Sequence, residues 1–452
     1  MEDKPLQSAN DVSLKKRTIN SGMWTIGSYG GRQLIRLGSN VILAKLLFPE
    51  AFGLMMLVTV FMQGLGMLSD IGTGPSIIQN KNGNVPRFLN TAWTMQIMRG
   101  VIVWLMAVLT APFYAGIFDE PSLKVLIPVA GLTAVIAGFN STKLITANRD
   151  LTLARITVMD FLTQIVSIVV MIVWVLIYPT VWALVAGGLA GAFLKMILSH
   201  TILTGSKNSF EFNLEYAKEI FRFGKWIFFS TALTFLVMQV DKFLLGYLVG
   251  TAMLGIYTIA AMFNSVAQSV MQTLTTRVLF PSYAEVIRGS DIKRLQRVLT
   301  KTRLLLISSA WGISLGMIVI GAMLIDILYD ERYADAVWMI QILPLSTLVG
   351  ALSLTYHSAV LAKGGSASLF VINFIKLPVQ VFMMIFGYQL WGVPGLVIGL
   401  TMVEWLVYPV TAWIAYRNKI WQAKIDLIAI AFAALIAYYY IGYLVTSAKI
   451  PI

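Results

Sequence analysis

The chain has 452 residues, of which 58% are hydrophobic and only 12% charged, with a formal net charge of +13. This balance excludes a water-soluble domain carrying one anchor, because too few polar residues remain to cover so much apolar surface. With no cysteine there is neither a disulfide framework nor a thiolate metal site, and the two histidines, His200 and His357, fall on separate apolar stretches, which argues against a His-based metal centre or catalytic base.

In chain order, residues 1–14 are polar and expected to be loosely ordered. The first apolar run begins near Ile19 behind Lys15-Lys16-Arg17 and is too long for a signal-peptide core, so it reads as a first span with the N-terminus inside. A helix rising 1.5 Å per residue needs about 20 residues to cross a roughly 30 Å hydrocarbon core. Runs of that length predict spans at 20–46, 54–79, 88–111, 123–147, 154–178, 181–204, 224–249, 252–280, 302–328, 336–361, 368–389 and 393–416. A last apolar stretch at 425–447 is expected as a thirteenth span; the other reading is a segment at the interface, or one that has lost a partner helix.

Alternate breaks between spans differ in charge. One set carries Lys81, Arg87, Arg149, Arg155, Lys207, Lys218, Arg222, Arg288, Lys293, Arg294, Arg297, Lys301, Lys363, Arg417 and Lys419. The other holds little basic charge beyond Lys124 and Arg332, and contains the acidic pairs Asp119-Glu120 and Asp330-Glu331. By the positive-inside rule the first set and the N-terminus are cytoplasmic. Because the positive charge lies in these breaks, it does not indicate nucleic acid as a partner. The run from Arg277 to Arg303 is expected to be a solvated helix or a surface touching anionic headgroups, with a docking site for a partner enzyme as the other reading.

The sequence also repeats. Displaced by 202 positions, Gly22, Trp24, Ser28, Leu34, Leu43, Leu46, Gly53 and Phe61 meet Gly224, Trp226, Ser230, Leu236, Leu245, Leu248, Gly255 and Phe263 without a gap. Six spans separate the copies, so both start on the same side, which makes them parallel repeats about an axis along the membrane normal. The expected fold is an all-α membrane protein. It has two six-helix lobes, related by a parallel pseudo-two-fold repeat around a central cavity, plus the extra C-terminal segment. The expected divisions are a tail at 1–17, a first lobe at 18–204, a linker at 205–223, a second lobe at 224–417, and a loop with the thirteenth span at 418–452. Two such lobes can rock to expose a cleft to either side.

Function is sought in the polar residues left inside the bilayer. Arg32 and Arg36 lie mid-span on one helix face, with Tyr29, Ser39 and Asn40 close to that face. Facing lipid, each would cost several kcal/mol, at least about 2.5 by insertion scales, so they face either a polar cleft or a buried acid such as Asp70. Guanidinium suits phosphate, because its planar fork donates paired, charge-assisted hydrogen bonds. Arg99 and Lys143 would widen that cationic field or serve structure. Asp70 sits in Leu68-Ser-Asp-Ile-Gly-Thr-Gly-Pro75, where span 2 should loosen. In the second lobe, Asn264, Gln268 and Gln272 form one polar stripe, and Asn373, Lys376 and Gln380 another. They read either as glue between helices or as a sugar-facing wall. Asp241 and Glu404 are candidates for a proton or cation site, and Lys376 is a candidate to neutralise one of them.

No P-loop pattern is present. The outer loops are short, and Glu50 is the only acid in the first of them, which argues against a membrane glycosyltransferase or polymerase.

Several segments resemble bacterial oligosaccharide flippases, the Wzx-type polysaccharide transporters of the multidrug/oligosaccharidyl-lipid/polysaccharide exporter superfamily. They are Leu43-Ala-Lys-Leu-Leu-Phe-Pro-Glu-Ala-Phe-Gly53, Leu68-Ser-Asp-Ile-Gly72 with Ile77-Ile-Gln79, Ala147-Asn-Arg-Asp150 and Phe223-Gly-Lys-Trp226. Val240-Asp-Lys-Phe-Leu-Leu-Gly-Tyr-Leu-Val-Gly250, Leu254-Gly-Ile-Tyr257 and Thr276-Arg-Val-Leu-Phe-Pro281 complete the set. The resemblance covers most of residues 20–417. It implies a carrier and not an enzyme, without cofactor or metal. It would move undecaprenyl-pyrophosphate-linked oligosaccharide across the inner membrane by alternating access, for surface or exopolysaccharide synthesis. It assigns the pyrophosphate to Arg32 and Arg36, with Arg99 beside them, and a cation-binding carboxylate of the seventh span to Asp241. Sodium, protons or the membrane potential are the open choices for driving the cycle; the expected partners are the lipid-linked oligosaccharide and membrane lipids, with a polysaccharide polymerase and export machinery as further candidates. The family commonly has twelve or fourteen spans, so a thirteenth is a departure. The competing readings are a multidrug exporter of the same superfamily and, behind it, a glycan polymerase or glycosyltransferase.

Overall fold

A computed structural model describes residues 31, 33–70, 72–149, 153–275, 279, 283, 286–287 and 292–447, and among these there is no β-strand. The helices are α1 over 33–46, α2 Pro49–Leu68, α3 Thr73–Gln79, α4 Pro86–Ile117, α5 Leu123–Gly138, α6 Lys143–Arg149, α7 Leu153–Ile177 and α8 Trp182–Thr201. They continue as α9 Leu214–Val249, α10 Thr251–Leu274, α11 Ile292–Leu328, a 3-10 turn Glu331–Tyr333, α12 Ala336–Ile342, α13 Pro344–Ala362, α14 Ser366–Arg417 and α15 Ala423–Thr446. Ten of the described helices are long and apolar enough to cross a membrane, and the bent pair α5–α6 adds an eleventh. The protein is therefore a multi-pass membrane protein.

Local chemistry sets several boundaries. Proline opens α2, α4 and α13, where its fixed φ suits the first helical position and its missing N–H is not needed. α14 is two helices joined at Trp391 and Gly392; the glycine takes φ 63°, and the arms fold back so closely that a side chain on Gly395 would strike the Gly387 carbonyl. Span 2 is interrupted: α2 ends at Leu68 and α3 starts at Thr73, behind Gly72 at φ 69°. Span 4 departs from a straight 123–147 helix: α5 and α6 meet at a 62° bend. The carbonyls freed at this bend are taken up by α4 and α8. Gln96 Nε2 donates to Ala137 and Gly138 at 3.0 and 3.1 Å, Trp93 Nε1 donates to Phe139 at 3.4 Å, and His200 Nε2 lies 2.9 Å from the same oxygen.

The chain divides into two compact units, one of residues up to Leu47 with Leu57–Ala232, the other of Phe48–Met56 with the residues from Leu233. In the first, α4 packs against α5 and α7 against α8, and Ile77, Phe88, Leu89, Ala92 and Ile220 form a buried cluster. In the second, α10, α11, α12, α13 and both arms of α14 surround a core that includes Tyr356, Ala359, Val403 and Val407. α15 is a full member of that unit. Ala429, Ala433 and Ala437 present a flat face to Leu348, Leu352 and their neighbours, and Tyr440 donates to the Ile318 carbonyl at 3.1 Å. The last apolar stretch is therefore a packed helix that has not lost its partners.

Candidate functional site

In the first unit, Arg36 projects from α1 as an exposed side chain. Among the described residues its guanidinium meets no hydrogen-bond or ion-pair partner; only its carbonyl is engaged, accepting from buried Ser39 Oγ at 3.0 Å. Asn40, on the same helix, is half-buried. Tyr29 and Arg32 lie outside the described residues.

Arg99, on α4, is differently placed. Its Nη2 donates to the Gly66 carbonyl at 2.6 Å, its Nε to Ser69 Oγ at 3.2 Å, and its Nη1 lies 3.8 Å from Asp70 Oδ1. The same carboxylate accepts from the Gly72 N–H at 3.0 Å. Asp70 therefore caps the break in span 2, and Arg99 supports it from α4. Asp70, the acid that the sequence offers to Arg32 and Arg36, is held by Arg99. Lys143 opens α6 at the bend; it is buried and donates from Nζ to the His200 carbonyl at 3.1 Å. Of the first unit's described candidate cations, Arg36 alone has its charged atoms free of such partners.

The segment before α9 is stitched to this unit by polar residues that spacing alone did not single out. Asn90 Nδ2 donates to Ser209 Oγ and Glu211 Oε2 at 2.8 and 3.1 Å, and Thr94 Oγ1 donates to the Glu211 carbonyl at 3.0 Å. Asn208 Oδ1 accepts from Ser141 Oγ at 2.7 Å and its Nδ2 donates to Thr142 Oγ1 at 2.7 Å. α9 begins at Leu214, so only 205–213 of the expected linker is non-helical, and those residues are held as one strip.

In the second unit the two candidate carboxylates each have a cation. Asp241 is buried; Lys242 Nζ stands 3.1 Å from Oδ1, and Tyr257 OH donates to Oδ2 at 2.6 Å. Glu404 is paired with Lys376 across the two arms of α14 and packs against Gly350 of α13. Lys376 thus neutralises Glu404, one of the alternatives open in the sequence. The amides separate: Asn264 is buried beside Thr347, whose Oγ1 lies 3.5 Å from its Oδ1, whereas Gln268 and Gln272 are exposed. Asn373 is half-buried, and Gln380 is buried with Oε1 lacking a partner among the described residues. His357 Nε2 is likewise buried without one.

One polar cluster was missed. Arg303 is fully buried and not part of a solvated run. Its Nη2 donates to Asp426 Oδ1 at 2.5 Å and its Nε to Thr355 Oγ1 at 3.0 Å, and its guanidinium carbon lies 3.8 Å from the Tyr356 ring centroid. Tyr356 and Tyr408 both donate to Asp426 Oδ2, at 2.5 and 2.6 Å. The signal was an aspartate in an otherwise apolar terminal stretch, which must find a cation when buried.

Comparison with known proteins places this geometry. Residues 42–338 match the family model described as polysaccharide biosynthesis protein. The chain belongs to that family. As a member it is 24% identical to the teichuronic acid biosynthesis protein TuaB of Bacillus subtilis (strain 168), over 68% of this chain and 62% of that one. It is 21% identical to the lipopolysaccharide biosynthesis protein WzxC of Escherichia coli (strain K12), over 87% of this chain and 80% of the other. The chain thus spans less than two thirds of TuaB and four fifths of WzxC. Among solved structures it is similar to an inward-facing multidrug resistance MATE family transporter of the MOP superfamily, at TM-score 0.70 and 14% identity, covering 86% of this chain and 94% of that one. It is also similar to the lipid II flippase MurJ in an inward closed conformation, at TM-score 0.67 and 13% identity, covering 92% of both chains. The two-lobed fold and the relationship to polysaccharide transporters expected from the sequence are borne out.

Proposed function

We propose that the protein is a flippase for undecaprenyl-pyrophosphate-linked oligosaccharide repeat units, working by alternating access in a bacterial inner membrane with its N-terminus in the cytoplasm. The observation that supports this reading is the exposed guanidinium of Arg36 on α1, which among the described residues meets no hydrogen-bond or ion-pair partner, with Arg32 four positions earlier in the sequence. A diphosphate offers acceptor oxygens matched to paired guanidinium forks. In the proposed cycle the arginines hold the pyrophosphate, the polyprenyl tail stays in the lipid, and the two lobes change access from one side to the other. No bond is broken. Arg99, already committed to Asp70, supports the break in span 2 and contributes field more than contact. Gln268 and Gln272, exposed, and Asn373, half-buried, are the amides open to a glycan, whereas buried Asn264 and Gln380 serve the packing between helices; Asp241 and Glu404 with Lys376 are the candidates for coupling to a sodium or proton gradient.

A multidrug exporter for cationic compounds would want free carboxylates, and both Asp241 and Glu404 already hold an ammonium group. The test is glycan export in cells whose own flippase is deleted. Charge-assisted hydrogen bonds contribute about 1.5–3 kcal/mol each. Arg36→Ala is therefore expected to cut export at least tenfold at normal protein level, with Arg36→Lys recovering only part of it. Full export from both Arg32→Ala and Arg36→Ala would remove the proposed site.

A further inference from the structure

Three separate segments of the second unit are tied together at one end of it. Gln296, in the early turns of α11, donates from Nε2 to the Lys419 carbonyl at 3.1 Å. Lys363, just after α13, donates from Nζ to the Asn418 carbonyl at 2.5 Å. Gln422, between α14 and α15, donates from Nε2 to Thr300 Oγ1 at 2.7 Å. These bonds gather Arg297, Lys301, Lys363, Arg417, Lys419 and Lys424, all exposed. Among the described residues none of the six forms an ion pair. Asp426, the acid nearest in the chain, is buried and consumed by Arg303 and two tyrosines. Among the described residues, the positive charge here has no internal counterion.

Two features set Lys363 and Lys419 apart from ordinary surface lysines. Partial desolvation, and then the neighbouring Lys419 ammonium, hold Lys363 below the usual lysine range. Lys419 sits at φ 57° past the end of α14, where its N–H closes on the Tyr416 carbonyl at 2.9 Å and the Ile420 N–H closes on Ala415 at 3.0 Å. Glycine is the favoured residue in such a left-handed helix cap. A lysine there sacrifices backbone ease and places a second cation beside the first.

Depth is marked by aromatic rings. Trp413, Tyr416 and Trp421 are exposed beside the patch, and the Arg417 guanidinium lies 4.9 Å from the Trp413 ring centroid. Indole and phenol rings settle at headgroup level. Leu361 and Phe370, either side of the Lys363 turn in sequence, are also exposed.

We propose that this cluster binds the phosphate of an anionic phospholipid, with Lys363 and Lys419 as its centre. Lys363 uses one of its three N–H donors on Asn418 and has two left for a phosphodiester oxygen. A single negative charge between the two ammonium groups relieves their repulsion. The site is independent of the cargo and would stand if the chain carried something other than a pyrophosphate.

The experiment uses the purified full chain in neutral detergent, titrated with phosphatidylglycerol or phosphatidylcholine and read by native mass spectrometry. Wild type is expected to retain phosphatidylglycerol over phosphatidylcholine, less so as salt is raised. Each cation near an anionic headgroup contributes about fivefold, so Lys363→Gln/Lys419→Gln should retain roughly 25-fold less phosphatidylglycerol. Lys419→Gly separates binding from folding: relief of the left-handed strain should leave the melting temperature in phosphatidylcholine at or above wild type, while phosphatidylglycerol retention falls about fivefold. Wild-type retention in both variants overturns the proposal. So does displacement of the lipid by equimolar inorganic phosphate, which would make this a site for free anions.

Discussion

At the scale of single residues, membrane cost made the candidates legible and spatial pairing decided their roles. Arg36 was readable because a guanidinium within an apolar run demands an explanation. That Asp70 belongs to Arg99 was not readable, since the contact joins a helix break to the flank of α4 and leaves no trace in local spacing. Glu404 and Lys376 lie 28 residues apart on opposite arms of α14, and the same holds for them. Their pairing allows a decisive test. A carboxylate that only balances an ammonium is dispensable once both charges are removed. A carboxylate that takes up and releases a cation is not. Glu404→Gln and Lys376→Met/Glu404→Gln are therefore both expected to lose most glycan export at normal protein level. Recovery of export by the double variant alone would assign the pair to packing.

At the scale of helices, the hydrophobic pattern located nearly every span, because length and composition suffice for that. What it could not give was the bend in span 4, which depends on Gln96, Trp93 and His200 reaching carbonyls 41 or more residues distant in sequence. Nor could it give the place of the last helix. α15 is held at its start by Asp426 on Arg303 and along its length by three alanines. Breaking a buried pair by removing one partner costs about 3–5 kcal/mol, because the remaining charge is stranded, whereas replacing both by apolar residues is often neutral. Asp426→Ala should therefore lower the thermal unfolding temperature of the detergent-solubilised protein markedly. Arg303→Met/Asp426→Leu should recover most of that loss, the tyrosine hydroxyls bearing what remains. Equal destabilisation by single and double variants would mean that the hydrogen-bond network, not the charge pair, holds α15.

At the scale of the whole molecule, the repeat read from the sequence has a physical counterpart within the second unit. A side chain on Gly53 would stand 1.8 Å from the Thr251 carbonyl oxygen, and one on Gly255 would stand 1.8 Å from the Pro49 carbonyl oxygen. Gly53 and Gly255 are equivalent under the displacement of 202 positions, and so are Pro49 and Thr251. Each glycine thus receives the backbone of the other's helix start, which is how two copies of one surface meet about a two-fold axis. Burial follows the same relation: Leu43 and Leu245 are both buried, while Leu34 and Leu236 are both exposed. The Trp and Gly coincidences at 22–28 lie outside the described residues, so the support comes from this crossing. Because its two halves are equivalent, Gly53→Ala and Gly255→Ala should destabilise the protein to a similar extent. Each forces helix backbones apart, with a cost in the overpacking range of about 1–3 kcal/mol. Since both substitutions relieve themselves by the same separation of α2 from α10, the double variant should cost clearly less than the sum of the singles. Thermal unfolding of the three variants measures this directly. A large effect at one glycine and none at the other would mean that the crossing is a local coincidence and not the trace of a duplicated six-helix ancestor.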